Sequence, residues 1–286
     1  MEVNGSSGDA ERHQPRRTGG GRRFLAVAAR SCAYLVVLVA FLVGAALFYC
    51  YTRVRTVALD PVVSRRVTRS VIHRGISLLF RVLEGVGLLH VVEEQDSGPH
   101  CNGQSGVIVA NHPSMLDALF FLSRVPQVVC VMKAALLKLP VLGGFARAAG
   151  YLPYNETPEL WERAKAARDE GACILIFPEG TRSPPSGLGE FKRGAARIAT
   201  ELGVPLWPYV LEMKPIVLSR ERPWWSPPAE TVVLRVKRLP ILVSKLPNLD
   251  AETGHPPDDN RRESVRLTES LEVLINSSLS SSQAPK

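Results

Sequence analysis

The chain has 286 residues, is 45% hydrophobic and carries a formal net charge of +8. That size suits one globular domain with a membrane segment beside it. The basic balance fits nucleic acid or an anionic bilayer, but nucleic-acid binding calls for a basic stripe with aromatic platforms on the folded part, whereas the arginines here flank an apolar stretch near the N-terminus.

Residues 1–23 are rich in Gly, Ser and Arg and are predicted to be a disordered basic segment. From Ser31 to Tyr51 there is no charged residue. Such a run crosses a hydrocarbon core of roughly 30 Å as a helix, so residues 24–52 are predicted to be a transmembrane or re-entrant helix. A cleaved signal peptide is disfavoured by the length of the run and by the lack of a small-residue cleavage site after Tyr51. Six arginines precede the run (Arg12, Arg16, Arg17, Arg22, Arg23, Arg30) and seven follow it by residue 81 (Arg53, Arg55, Arg65, Arg66, Arg69, Arg74, Arg81). The positive-inside rule draws both ends toward the cytosol, which leaves a single span and a hairpin both open. Residues 53–90 form the next unit. Within it Val71–Leu89 reads as an amphipathic helix on the membrane interface, with Arg74, Arg81 and Glu84 spaced along it.

Residues 91–249 have the pattern of an α/β domain. Residues 107–110, 128–132, 173–177 and 206–211 read as buried strands, and residues 116–122, 158–170 and 191–202 as helices between them. The alternation predicts a mostly parallel central sheet flanked by helices. Residues 231–237 suggest a late edge strand. The C-terminal unit, residues 250–286, divides into a polar linker (250–260), a helix (261–277) and a tail. The five cysteines, Cys32, Cys50, Cys101, Cys130 and Cys173, are odd in number and lack C-x-x-C spacing. They read as reduced structural thiols in a cytosolic compartment, and no metal site is expected.

Two runs carry chemistry. Asn111-His112-Pro113-Ser114-Met115-Leu116-Asp117 ends a strand and opens a helix. Pro113 suits the first helical position and pushes His112 toward extended geometry. His112 thus sits at the carboxyl end of a sheet strand, where ligands of α/β sheets gather. That geometry lets the Asp117 carboxylate reach back and fix one ring nitrogen, leaving the other as a base. The same fragment also reads as a helix-capping histidine with an aspartate favourable to the helix dipole. The second run, Phe177-Pro178-Glu179-Gly180-Thr181-Arg182-Ser183, follows another strand. Its glycine gives a tight turn, Arg182 a fork matched to phosphate or carboxylate, and Glu179 a group to hold that arginine or a hydroxyl. Lys192 and Arg193 add charge near the next helix start. The competing reading is a polar loop with a solvated ion pair. A lipid-directed serine hydrolase is disfavoured, because Ser105 in Gly103-Gln104-Ser105-Gly106 precedes a strand instead of following one.

Together these runs resemble the 1-acylglycerol-3-phosphate (lysophosphatidate) acyltransferases, the PlsC-like glycerolipid acyltransferase family. The histidine and aspartate separated by four residues, the full Phe177–Ser183 block, Phe191-Lys192-Arg193-Gly194 and Val204-Pro205-Leu206-Trp207-Pro208 all fit that family, over roughly residues 75–240. The resemblance implies an α/β acyltransferase in phospholipid biosynthesis, with His112 as general base and Asp117 as its orienting partner. It implies that Lys133, Glu179, Gly180, Thr181, Arg182 and Lys192 bind substrate. It also implies that acyl-CoA or acyl carrier protein donates the chain to a lysolipid hydroxyl, with no cofactor or metal required. The expected setting is a membrane, with the domain on the cytoplasmic side of a bacterial inner membrane. One departure stands out: Tyr154-Asn155-Glu156 occupies the place where the family carries an arginine toward the acceptor phosphate. It points toward an acceptor other than lysophosphatidic acid: another lysolipid, or a hydroxylated product of a specialised lipid or polyene pathway. A non-catalytic membrane scaffold on the same fold is the alternative from another functional class.

Overall fold

The computed structural model describes residues 19–55, 60–94, 104–154, 158–184, 187–221, 225–244 and 257–283. Helix α1 (Gly19–Arg55) extends the apolar run at both ends and includes residues 19–23; the predicted disorder of the preceding segment lies outside the described residues. Helix α2 (Pro61–Gly85) starts on Asp60, whose carboxylate accepts from the Val62 and Val63 N–H groups at 2.9 and 3.2 Å. This cap and Pro61 at the first position explain why the helix begins there. There follow β1 (Leu89–Glu93), β2 (Val107–Ala110), α3 (Leu116–Arg124), β3 (Val128–Met132), a 3-10 turn (Ala134–Lys138), α4 (Pro140–Ala149), β4 (Leu152–Pro153), α5 (Pro158–Asp169), β5 (Cys173–Ile176), α6 (Gly194–Leu202), β6 (Leu206–Lys214), β7 (Val232–Arg238) and α7 (Pro257–Gln283).

The strands form one sheet in the order β1-β7-β6-β2-β5-β3-β4. The five strands from β6 to β4 are mutually parallel, as the alternation predicts. β7 runs antiparallel to β6, and β1 lies parallel to β7 on its outer side. β7 is therefore not the edge strand expected of residues 231–237. β2 is buried on both faces: Val107 and Val109 enter the core with α4, α5, α6 and α7, while Ile108 and Ala110 enter the core with α2 and α3. Two-sided burial is what makes such strands continuous apolar runs.

α2 is not a free interfacial helix. It buries Ile76 and Phe80 against α3 and the sheet, and it is tied to the domain by charge. Arg65 and Arg69 both pair with the Glu170 carboxylate, at 2.5 and 2.8 Å, and Arg66 donates to the Glu170 carbonyl. Arg69, with its side chain 2% exposed, also donates to Ala149 O at 2.7 Å. Three arginines counted toward the positive-inside pull are thus engaged by protein. Gly150 closes this corner: its φ of +74° favours glycine, and a Cβ there would press on Arg65.

α1 touches the domain along its length. Arg30 donates to Ala229 O at 2.7 Å, Phe41 packs against the α2–α3 core, and Phe48 stacks on Phe145 of α4 at 5.2 Å. The outer side of α1 presents Leu35, Val36, Val39, Leu42, Val43 and Leu47 to the surroundings. The stretch Val27–Cys50 is long and apolar enough to cross a membrane.

Two further expectations change. The C-terminal unit is part of the domain, because α7 inserts Leu267, Leu271 and Ile275 into the core beside α6. Cys32, Cys50 and Cys130 are free thiols, but Cys173 is disulfide-bonded. The reading of all five as reduced thiols fails there, since spacing along the chain says little about which sulfurs the fold brings within bonding distance.

Glu170→Ala strands the buried Arg69 guanidinium without its counter-charge. Breaking a buried pair costs about 3–5 kcal/mol, so thermal unfolding in detergent is expected to show a clear drop in Tm. An unchanged Tm would refute the anchoring role of this carboxylate.

Candidate active site

The carboxyl ends of the five parallel strands gather on one rim, where the described residues after β2, β5 and β6 meet. After β2 the chain leaves the ladder at Asn111. Its buried amide donates to Leu211 O and accepts from Leu211 N–H, each at 2.8 Å, which extends the β2–β6 pairing by one side chain. His112 follows in non-helical geometry, and residues 113–115 form a bend before α3. Pro113 therefore precedes the helix by a turn and is not its first residue. The Ser114 hydroxyl accepts from Leu116 N–H at 3.1 Å and shapes the bend, and the helix starts at Leu116 without a side-chain cap from Met115.

The bend brings Asp117 back to the imidazole. Asp117 Oδ2 lies 3.1 Å from His112 Nδ1 and accepts from Ser114 N–H at 2.6 Å. Asp117 is fully buried, and its Oδ1 has no hydrogen-bond partner among the described residues. Burial pushes the Asp117 carboxyl above its usual range; the His112 bond and the Ser114 N–H pull the other way, and nearby Glu179 adds to the rise. The His112 ring stacks on Phe177 at 3.9 Å, nearly parallel, and its side chain remains 16% exposed. With Nδ1 donating to Asp117, Nε2 presents a lone pair, and it has no hydrogen-bond partner among the described residues. Such a pair can take a proton from a hydroxyl at the rim.

The second run lies on the adjacent strand. Glu179 is buried, and its oxygens are used by the protein. Oε1 accepts from His112 N–H at 3.0 Å and from the Ser183 hydroxyl at 2.6 Å, while Oε2 accepts from Gly189 N–H at 2.8 Å. Ser183 N–H in turn donates to His112 O at 2.7 Å. Glu179 thus neither holds Arg182 nor faces outward; it joins the two loops. Arg182 Nη1 donates to Leu218 O and Ser219 O at 2.7 and 2.6 Å, fixing the loop after β6, where Leu218 has a φ of +52°. Gly180 makes the turn with φ +64°, and half-buried Thr181 follows it. The Lys192 ammonium lies against Gly180: a Cβ built there would be 3.2 Å from Nζ. Lys133, exposed at the end of β3, caps the 3-10 turn on the same rim. Sequence reasoning overlooked Asn111 as the clamp to β6 and Ser183 as the link to His112; both stood inside the motifs, but their partners are distant in the chain. Ser105 lies at the start of β2, on the opposite rim, and donates to Arg168 O at 2.7 Å, so it forms no nucleophile elbow.

Residues 90–212 match the family model described as Acyltransferase. A chloroplastic 1-acyl-sn-glycerol-3-phosphate acyltransferase of Brassica napus is 34% identical over 110 residues, covering 37% of this chain and 32% of that protein. A 1-acyl-sn-glycerol-3-phosphate acyltransferase of Pseudomonas aeruginosa is 29% identical over 108 residues, covering 36% of this chain and 42% of that protein. The alignments thus span about a third to two-fifths of these curated relatives. The crystal structure of the 1-acyl-sn-glycerophosphate acyltransferase PlsC from Thermotoga maritima superposes with a TM-score of 0.59 at 19% identity, covering 88% of this chain and 97% of that one. It shares the fold.

The raised Asp117 pKa carries a sign for stability. The folded state holds an extra proton between the unfolded and folded pKa values, so stability falls as pH rises through that window and stays lower above it. Asp117→Asn removes this dependence. Its Tm is expected to vary less than that of the native protein as pH rises from the ordinary carboxylate range toward neutrality. Parallel Tm–pH curves for the two proteins would refute the burial effect.

Proposed function

We propose that the protein is an O-acyltransferase of the PlsC-like kind, a reading that the Acyltransferase match over residues 90–212 and the shared fold support. It moves a fatty acyl chain from a thioester donor, acyl-CoA or acyl carrier protein, to a hydroxyl of a lysolipid. The observation that carries the reading is the 3.1 Å contact between His112 Nδ1 and buried Asp117, which leaves Nε2 open on the rim.

In this mechanism Nε2 of His112 takes the proton of the acceptor hydroxyl as its oxygen attacks the thioester carbonyl. Asp117 holds the ring tautomer and stabilises the imidazolium that forms. Collapse of the tetrahedral intermediate breaks the C–S bond, and the imidazolium returns the proton to the departing sulfur. No acyl-enzyme is formed. Glu179 acts by fixing the His112 backbone, and Arg182 by fixing the 218–219 wall; Lys133 and Lys192 supply the positive charge facing the acceptor.

The membrane supplies the acceptor. Exposed apolar side chains crowd the rim: Met115 stands three residues from His112, Leu136 and Leu139 follow Lys133, and Ile216 lies in the loop held by Arg182. α1 meets the domain at Arg30 and again at Phe48 and Tyr49. Those points are about 28 Å apart along a helix. A helix bound to one domain at both ends lies along a single leaflet with its apolar side in lipid. This supports the re-entrant or monotopic arrangement over a perpendicular span, with both ends on the cytoplasmic side.

His112→Ala is expected to lower transfer at least about 100-fold, the usual worth of a general base, with the native Tm retained. Thiol release from acyl-CoA in the presence of 1-acylglycerol-3-phosphate measures it, and near-normal release would remove His112 from the chemistry. In sealed proteoliposomes, a protease site fused before Met1 is expected to be cut from the side on which the domain is exposed. Protection of that site alone would establish a full crossing instead.

A further inference from the structure

Tyr154 stands on the rim, and the mechanism above gives it no role. Its N–H donates to Met132 O at 2.7 Å, which holds it beside the Lys133 end of β3. Its ring lies across Gly194, the first residue of α6, where a Cβ would stand 3.3 Å from Cε2. The Lys192 ammonium sits 5.5 Å from the centre of the same ring. The lysine backbone is fixed as well, by its N–H to Pro178 O at 2.8 Å. The ammonium is therefore held between the aromatic face and the Gly180 turn, one residue from the carboxylate that positions His112. Lys192 forms no ion pair among the described residues.

We propose that Tyr154 is a positioning residue that makes the site selective for an anionic acceptor head group, by holding the Lys192 ammonium over the Gly180 turn. The inference rests on the acyltransferase reading and deepens it. A lysine on a four-carbon stem loses rotamer freedom when it must meet a ligand. An aromatic face that orients it beforehand removes part of that loss before the acceptor arrives. Where the resembling family places an arginine, this chain places a ring that orients a lysine from another loop. On this account the departure at Tyr154 does not turn the site toward a neutral acceptor. It changes which side chain meets the anion.

The test uses the full chain in detergent with labelled acyl-CoA and two acceptors, 1-acylglycerol-3-phosphate and uncharged 1-acylglycerol. Tyr154→Leu keeps apolar bulk over Gly194 and removes the cation-binding face. It is expected to raise the KM for the phosphate acceptor about three- to tenfold, in line with a partly exposed cation–π contact, with kcat and the KM for the neutral acceptor unchanged. Tyr154→Phe is expected to restore the native KM. The double variant Tyr154→Leu/Lys192→Gln should be no weaker toward the phosphate acceptor than Lys192→Gln alone. Equal changes for both acceptors, a fall in kcat without a KM change, or additive losses in the double variant would reduce Tyr154 to packing and overturn the inference. Transfer by the native chain to the neutral acceptor alone would also overturn it while leaving the acyltransferase reading intact. Transfer to neither acceptor, from acyl-CoA or from acyl carrier protein supplied in a parallel assay, would end both.

Discussion

The carboxylate of Glu179 is the contact on which the site depends. Strand pairing brings the ends of β2 and β5 side by side, but pairing alone does not set where a loop side chain points. Glu179 does so by accepting from the His112 backbone on one oxygen and from Gly189 on the other, while Ser183 closes the link in both directions. Charge-assisted bonds of this kind are stronger than neutral ones and shape a loop closely. With the backbone held, the imidazole lies flat on Phe177 and turns its Nδ1 to Asp117. The imidazole thus takes its orientation from one buried carboxylate and its height from another.

A second buried glutamate does comparable work on the opposite rim. Glu170, just after α5, gathers Arg65 and Arg69 from α2 and fastens that helix to the domain. α1 is held through separate contacts with α4, the α2–α3 core and the loop before β7. The sheet therefore has one rim for attachment and one for chemistry, each organised around a glutamate that the fold itself consumes.

The strands buried on both faces were readable because both sides of each are apolar, and this holds for 107–110, 128–132 and 173–176 alike. β1 was not, since Leu89–Glu93 follows α2 directly and alternates like the end of an amphipathic helix. The pair α4 and β4 is not legible in the sequence, because Gly143 and Gly144 weaken the helical pattern of the ten residues that form α4. Gly144 is small because Tyr49 of α1 lies against it, a contact that no local pattern announces. The tail after residue 277 looked too polar for helix, yet Ser277, Ser280 and Ser281 turn their hydroxyls onto carbonyls three or four residues back and stay helical. In the site, the pairing of His112 with Asp117 followed from spacing and a proline-induced bend. The partners of Glu179 and Arg182 did not, because a charged side chain in a loop does not reveal whether it will meet a ligand or a backbone group from a strand far along the chain.

The docking of α1 along the domain has a mechanical corollary. A helix lodged in one monolayer adds its cross-section to that monolayer and nothing to the other. Bilayers with loosely packed outer headgroups then take up the protein more readily than tightly packed ones. Lipids with a wide head over a single tail crowd that same headgroup layer and add to the lateral stress of such a wedge, whereas two-chain lipids with small heads leave room for it. The packing of the headgroups around α1 would in this way set how firmly the bilayer holds the protein.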